Sequence, residues 1–190
     1  MTTGKVIIIS APSGCGKSTI INALMNEGGI NMQFSVSATN RAPRGSEQDG
    51  VDYHFLSDHD FREAIAGDAF LEYEEVYPGR FYGTLKSEID RIASAGSNVV
   101  LDIDVNGGLR VKQALGEEAL SIFIEPPTIE TLRQRLESRG TDSIESIDAR
   151  VDRARYEIDQ APRYDARVVN DDLNSAVEQV RAIIVQFLSK

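Results

Sequence analysis

The sequence predicts an α/β protein: a parallel sheet with helices on both faces, interrupted by two inserted segments. Three observations lead there. Short, nearly continuous apolar runs at residues 6–10, 98–103, 120–125 and 166–170 have the composition of parallel strands buried on both faces. Helix-like segments, apolar at helical spacing, alternate with those runs. The first run, Val6-Ile-Ile-Ile-Ser10, passes straight into the glycine-rich stretch Ala11-Pro-Ser-Gly-Cys-Gly-Lys-Ser-Thr19, after which Ile20, Ile21, Leu24 and Met25 repeat with helical period.

That strand-loop-helix unit fits the pattern G-x-x-x-x-G-K-[ST] except at Ala11, which stands where the first glycine is expected. The position must therefore not need a positive φ. In such a P-loop the backbone N–H groups wrap the phosphates of a nucleoside triphosphate, the lysine reaches the terminal ones and the hydroxyl residue binds magnesium. The helix that follows points its N-terminus at the same phosphates. Lys17 and Ser18 take the two side-chain roles, and Ala11, Pro12, Ser13, Gly14, Cys15, Gly16 and Thr19 complete the loop. The core is thus expected to be of the P-loop NTPase type. Cys15 allows two readings, a thiol made reactive by the helix N-terminus or a small filler in a loop that works through its backbone; the filler is expected.

Composition narrows the partners. A chain of 190 residues can bury one sizeable core, and a formal net charge of -10 argues against a nucleic-acid or anionic-membrane surface, which would call for basic patches. Phosphate ligands must then be held by local clusters of cations. Cys15 is the only cysteine, and no charged leader with a long apolar stretch or 18-residue apolar run is present, so the expected location is cytoplasmic.

Along the chain, residues 34–84 break the alternation. They are rich in Tyr and Phe with period-two stretches (Asp52-Tyr-His-Phe-Leu, Phe70-Leu-Glu-Tyr-Glu-Glu-Val-Tyr), a polar Arg41-Ala-Pro-Arg-Gly turn and one helix starting at Ser57. A small, mostly antiparallel subdomain is expected there. Residues 128–157 are charged and arginine-dense over two helical patterns separated by Gly140-Thr-Asp-Ser, which reads as a mobile lid. The core is left with residues 1–33, 85–127 and 158–190, one domain in all. Its last helix carries Leu173, Val177, Val180, Ile184, Phe187 and Leu188 at helical spacing behind Asp172, a candidate N-cap. Asp102 ends the apolar run at Val99-Val-Leu, where a Walker-B carboxylate lies near the P-loop and can hold magnesium; a turn or capping role is the plainer alternative.

The segments Ser35-Val-Ser37-Ala-Thr-Asn-Arg41-Ala-Pro-Arg44, Gly50-Val-Asp-Tyr53-His-Phe, Phe70-Leu-Glu72, Phe81-Tyr82-Gly83-Thr84, Leu101-Asp102-Ile-Asp104, Leu132-Arg-Gln-Arg135-Leu-Glu-Ser-Arg139 and Val169-Asn170-Asp-Asp-Leu resemble, in order and at nearly matching spacing, the motifs of guanylate kinases. The resemblance implies transfer of the γ-phosphoryl group of MgATP to GMP, with ATP and GMP as small-molecule partners. It implies that Arg41, Arg44, Tyr53 and Tyr82 hold the GMP phosphate, a task suited to guanidinium forks and phenol hydroxyls. Glu72 is expected to accept from guanine N1–H and the 2-amino group, Ser37 and Thr84 to serve the remaining polar edge, and Asp104 to support that pocket. Adenine, with an acceptor at N1 and no 2-amino group, would leave the Glu72 carboxylate facing a lone pair.

The same resemblance assigns Arg135, Arg139 and Arg150 to the ATP phosphates and Asn170 to the adenine, through backbone groups. Lys17, Arg41, Arg135, Arg139 and Arg150 would then meet the charge of the transferring group. Arg133, Arg153 and Arg155 are expected to be solvated or paired with Glu137, Asp152 and Glu157. His54 and His59 are expected at the surface, since the attacking oxygen belongs to a phosphate already largely ionised at neutral pH and needs no base.

The chain departs from the family pattern at Ala11, at Asn40 where threonine is usual, at Gly45-Ser46, at Asn106 where glutamine is usual, and by one extra residue near Pro78. None touches a charged ligand-binding position. Two other classes fit the sequence less well. A catalytically inactive guanylate-kinase-like protein-binding module is expected to lose the P-loop lysine or lid arginines, which are present. A GTP-hydrolysing switch would need a base-reading Asn-Lys-x-Asp or Thr-Lys-x-Asp motif, and Asp104-Val-Asn-Gly107 alone is not enough.

Overall fold

The computed structural model describes residues 4–138, 140 and 143–190. Its strands are β1 (Val6–Ser10), β2 (Met32–Phe34), β3 (Ala38–Thr39), β4 (His54–Phe55), β5 (Phe70–Tyr77), β6 (Arg80–Leu85), β7 (Asn98–Asp102), β8 (Ala119–Glu125) and β9 (Ala166–Val169). Its α-helices are α1 (Lys17–Glu27), α2 (Asp58–Ala66), α3 (Lys86–Ser94), α4 (Val105–Leu115), α5 (Ile129–Ser138), α6 (Ile144–Asp159) and α7 (Leu173–Leu188). A parallel sheet runs in the order β2-β7-β1-β8-β9, and a second sheet in the order β4-β3-β6-β5. The fold is α/β, as the apolar runs predict.

Among the described residues the chain forms two compact units, one of Val6–Asn31 with Leu101–Lys190, the other of residues 4–5 with Met32–Val100. In the first, every residue of β1 and β8 is buried, which is why both read as unbroken apolar runs. β1 pairs in parallel with β8, from Val6 opposite Ala119 to Ser10 opposite Phe123, and β8 pairs in parallel with β9. Helix α4 lies against β1 and β8, α7 against β8 and β9, and α1 against α7. A cluster of Val105, Phe123, Ala161 and Tyr164 closes this core. Asp172 caps α7 by accepting from the Ser175 amide at 2.9 Å, and Val177, Val180 and Ile184 face inward as expected. Leu173 instead is exposed, because it occupies the first turn beyond the packed stripe.

The second unit is wider than residues 34–84, since it also takes in β2, α3 and the start of β7. Its own sheet is antiparallel between β3 and β6 and between β5 and β6, but β3 and β4 pair in parallel. Two-residue strands carry no periodicity, so that pair has no sequence signal. Phe61 of α2 stacks on Phe70 with centroids 4.5 Å apart, and with Ala38 and Phe81 forms a small aromatic core. Ser57 caps α2 through the Asp60 amide at 3.0 Å. Asn40 bridges Gly79 O and Asp58 at 2.9 Å each and accepts from the Phe81 amide at 2.8 Å, so the side chain that departs from the family pattern ties the β5–β6 hairpin turn to β3.

Candidate active site

The P-loop joins β1 to α1, with Lys17 the first residue of the helix. Gly14 and Gly16 have φ of 95° and 84°, conformations that L side chains rarely adopt, whereas Ala11 has no positive φ, as its substitution for glycine required. A side chain at Gly14 would also strike Leu136 and Leu132 of α5 at 2.9 and 3.0 Å. Lys17 is ion-paired with Asp102 and its Nζ donates to Ile103 O at 3.5 Å, while the Ser18 hydroxyl donates to Asp102 Oδ2 at 3.4 Å. The cation, the hydroxyl and the carboxylate predicted from separate motifs thus meet. Ser18 and Asp102 are hard oxygen donors at a partly exposed spot, the few protein ligands that magnesium takes when water and phosphate fill the rest.

Cys15 is fully buried, and burial foremost pushes its thiol up to about 12, so it is the space-filling residue of the two readings. Its carbonyl accepts from Asn170 Nδ2 at 2.7 Å. The Asn170 carbonyl in turn accepts from Arg135 Nη2 at 2.9 Å, and the Asn170 amide donates to Glu125 O at 2.8 Å. Asn170 was expected near adenine through its backbone; both of its backbone groups have partners here, and its side chain supports the P-loop from behind. Arg150 reaches the loop by donating to the Ser13 hydroxyl at 3.0 Å. Arg139 lies outside the described residues. Arg133 pairs with Asp148 and Glu137, and Arg153 with the buried Glu157 at 2.8 Å.

Asp104 caps α4, its Oδ1 accepting from the Asn106 and Gly107 amides at 2.9 and 3.2 Å. Behind it the buried Tyr164 hydroxyl donates to Val105 O at 2.9 Å. Burial raises the Tyr164 phenol above its ordinary range, so it remains a donor.

In the other unit Arg41, Tyr53 and Tyr82 converge. Arg41 Nε donates to the Tyr82 hydroxyl at 3.1 Å, and its guanidinium lies 4.9 Å from the Tyr53 ring centroid and 5.6 Å from that of Phe55. Glu47, to which the motif reading gives no role, takes the rest of Arg41: Nη1 donates to Oε2 at 2.6 Å and Nη2 to Oε1 at 2.8 Å. The sequence signal that could have found it is a carboxylate placed just past two arginines in a turn. That fork, with the Arg44 amide second, holds the Glu47 carboxyl down at about 2.

The two residues expected to read the base are also together. Glu72 of β5 lies opposite Thr84 of β6, both are buried, and Thr84 Oγ1 donates to Glu72 Oε1 at 2.9 Å. Tyr82 lies two residues from Thr84 on β6 and so shares its face. Ser37 lies just before β3 and its carbonyl accepts from the His54 amide at 2.9 Å. His59 is exposed as expected, but His54 is half-buried, with Nε2 3.6 Å from the Glu88 carboxylate.

Comparison with known proteins points to the guanylate kinase family. A guanylate kinase family model matches residues 3–187. Among curated relatives, the guanylate kinase of Porphyromonas gingivalis is 55% identical over 186 residues, covering 98% of this chain and 99% of the relative. That of Salinibacter ruber is 52% identical over 189 residues, with 100% of both chains covered. Among solved structures, guanylate kinase from Anaplasma phagocytophilum superimposes with a TM-score of 0.78 at 30% identity, covering 98% of this chain and 87% of that one.

Proposed function

The chain belongs to the guanylate kinase family, and from that premise we propose how its own residues carry the family's ATP:GMP phosphotransfer. The observation that bears most weight is the meeting of Lys17, Ser18 and Asp102 at the start of α1, because a phosphoryl transfer is catalysed by positioning and by neutralising charge. ATP phosphates would lie in the loop from Ala11 to Thr19, with Lys17 leaving its Asp102 partner for the β- and γ-phosphates. Magnesium, held by Ser18 and Asp102 directly or through water, would supply charge neutralisation on those phosphates. Arg135, Arg139 and Arg150 would close on the same charge.

GMP would lie along the β6 face, its base read by Glu72 with Thr84 and Ser37, and its phosphate held by Arg41, Arg44, Tyr53 and Tyr82. The attacking oxygen is a phosphate oxygen with a second pKa of about 6, so no general base is required. The retained Lys17, Arg135 and Arg150 favour catalysis over the protein-binding module. We place the enzyme in the cytoplasm, in purine nucleotide metabolism, on its composition and its substrates.

The test is a coupled ADP-release assay with MgATP and GMP. Lys17→Ala should lower kcat by at least about a hundredfold, on the scale of other electrostatic stabilisers, with KM for GMP nearly unchanged. Turnover like that of the unaltered enzyme would remove the P-loop chemistry from this reading.

A further inference from the structure

Arg41 is assigned to the GMP phosphate, yet almost all of its hydrogen-bonding capacity is already used. A guanidinium has five N–H donors. Nε donates to Tyr82, one Nη1 hydrogen to Glu47 and the other to Ala42 O at 3.0 Å, and one Nη2 hydrogen to Glu47. By that count a single N–H on Nη2 is left for a ligand. The side chain of Arg41 is only 8% exposed, enclosed by the Tyr53 and Phe55 rings.

Glu47 does more than balance that charge. Its Oε2 also accepts from the Arg44 backbone amide at 2.7 Å, and its own amide closes the turn on Arg44 O at 3.0 Å. One carboxylate therefore fixes the guanidinium of the first arginine and the backbone from which the second projects. Arg44's guanidinium makes no hydrogen bond among the described residues, so it can turn all its donors to a ligand.

We propose that Glu47 is the positioning residue of the phosphate site: it stays bonded to Arg41 when GMP binds, so that Arg41 offers one preset N–H and Arg44 supplies the main fork. The inference rests on the reading that this cluster takes the GMP phosphate. Its physical basis is pre-organisation. Two cations beside each other in a turn repel and would have to be ordered by the ligand itself, whereas the carboxylate orders them beforehand and lowers the entropic cost of binding. The alternative is that Glu47 occupies the phosphate's place and must leave, which would make it a competitor. The two differ in sign.

Steady-state constants would be measured for the full chain and for Glu47→Gln, Glu47→Asp, Arg41→Lys and the double variant Arg41→Lys/Glu47→Gln. Glu47→Gln removes the charge and turns an N–H₂ toward the guanidinium, so KM for GMP should rise about tenfold or more, the scale of one charge-assisted bond, while KM for ATP stays within about twofold. A merely structural role would not single out GMP. Glu47→Asp keeps the charge on a shorter stem and should fall between; it also carries the test if the Gln variant does not fold. In the double variant the rise should fall short of the product of the two single rises, because part of the Glu47 effect runs through Arg41 and the rest through the Arg44 backbone. A KM for GMP that is unchanged or lower in Glu47→Gln, beside a raised value in Arg41→Lys, overturns the inference and leaves the site reading standing. An unchanged KM in Arg41→Lys overturns the site reading, and the inference with it.

Discussion

At Leu71 the ladder between β5 and β6 gains one residue: Phe70 lies opposite Leu85, and Glu72 opposite Thr84. That bulge puts Phe70 and Glu72 on opposite faces although they are two apart. Phe70 turns to the aromatic core, its ring so close over Gly83 that a Cβ there would sit 2.8 Å from it, while Glu72 turns to Thr84. Strict alternation would put both on one side, so the sequence identifies the carboxylate but not how it is aimed. Glu72→Gln should cost GMP at least about 2 kcal/mol in binding and lower the GMP-over-AMP ratio of kcat/KM, mainly through the loss for GMP. An unchanged ratio would mean that another residue reads the base. Cys15 gives a second expectation at this scale. With its thiol raised to about 12 and fully buried, the native protein should resist iodoacetamide at pH 8 and be alkylated only on unfolding; rapid native labelling would show the loop opening.

Among the elements, α4 links the sheet core to the end of β7. It begins with Asp104 as cap, and its Gly107 and Gly108 are buried, so it can approach β1 closely. A Cβ on Gly108 would lie 2.6 Å from the Tyr164 hydroxyl and 2.7 Å from Ser10 Oγ. Alanine normally helps a helix by nearly 1 kcal/mol over glycine, but here the tyrosine is pinned by its bond to Val105 O, and overpacking should win. Gly108→Ala should lose about 1–3 kcal/mol in thermal or denaturant unfolding, and less when introduced with Tyr164→Phe, which removes the hydroxyl. A stabilised single variant would show that Tyr164 turns aside freely. The helix signals that succeeded were those with a cap and a long stripe, as in α7; α3 buries only Glu88 and Ile92, too few positions to set a period.

For the whole molecule, six carboxylates among the described residues sit below their ordinary range in the fold. Glu47 is lowered by Arg41, Asp58 by Arg62, Asp60 by Ser57, Glu88 by Arg91 and Glu145 by its own backbone amide with Ser143; for Asp165 burial opposes the shift, but Lys112 and Ser121 outweigh it. A group whose pKa is lower folded than unfolded stabilises the fold above its unfolded pKa, and that contribution is lost as pH falls through the folded value. The melting temperature should therefore be level near neutrality and fall with acidification, with the Glu47 part lost between about 4.5 and about 2. Glu157, raised chiefly by burial, works against the trend. Thermal melts across this range should show a smaller acid drop for Glu47→Gln. If stability rose on acidification, these ion pairs would not be the groups that govern it.

What could be read before any coordinates was whatever depends on neighbours along the chain: the phosphate loop and its lysine, buried strands written as apolar runs, caps at Ser57 and Asp172, and a motif order that named Arg41, Glu72 and Asp102. Those features follow from local conformational preference and from the residue types a given chemistry needs. Other facts depend on residues far apart in sequence, whose meeting no local pattern encodes: the Asn170 amide on Cys15 O across 155 positions, Lys17 against Asp102, and the pairing register that turns Glu72 toward Thr84. Glu47 lies between these cases. It is six positions from Arg41, but its bidentate contact depends on how the turn folds back, and a turn's path is set by its hydrogen bonds rather than by any periodicity of its residues.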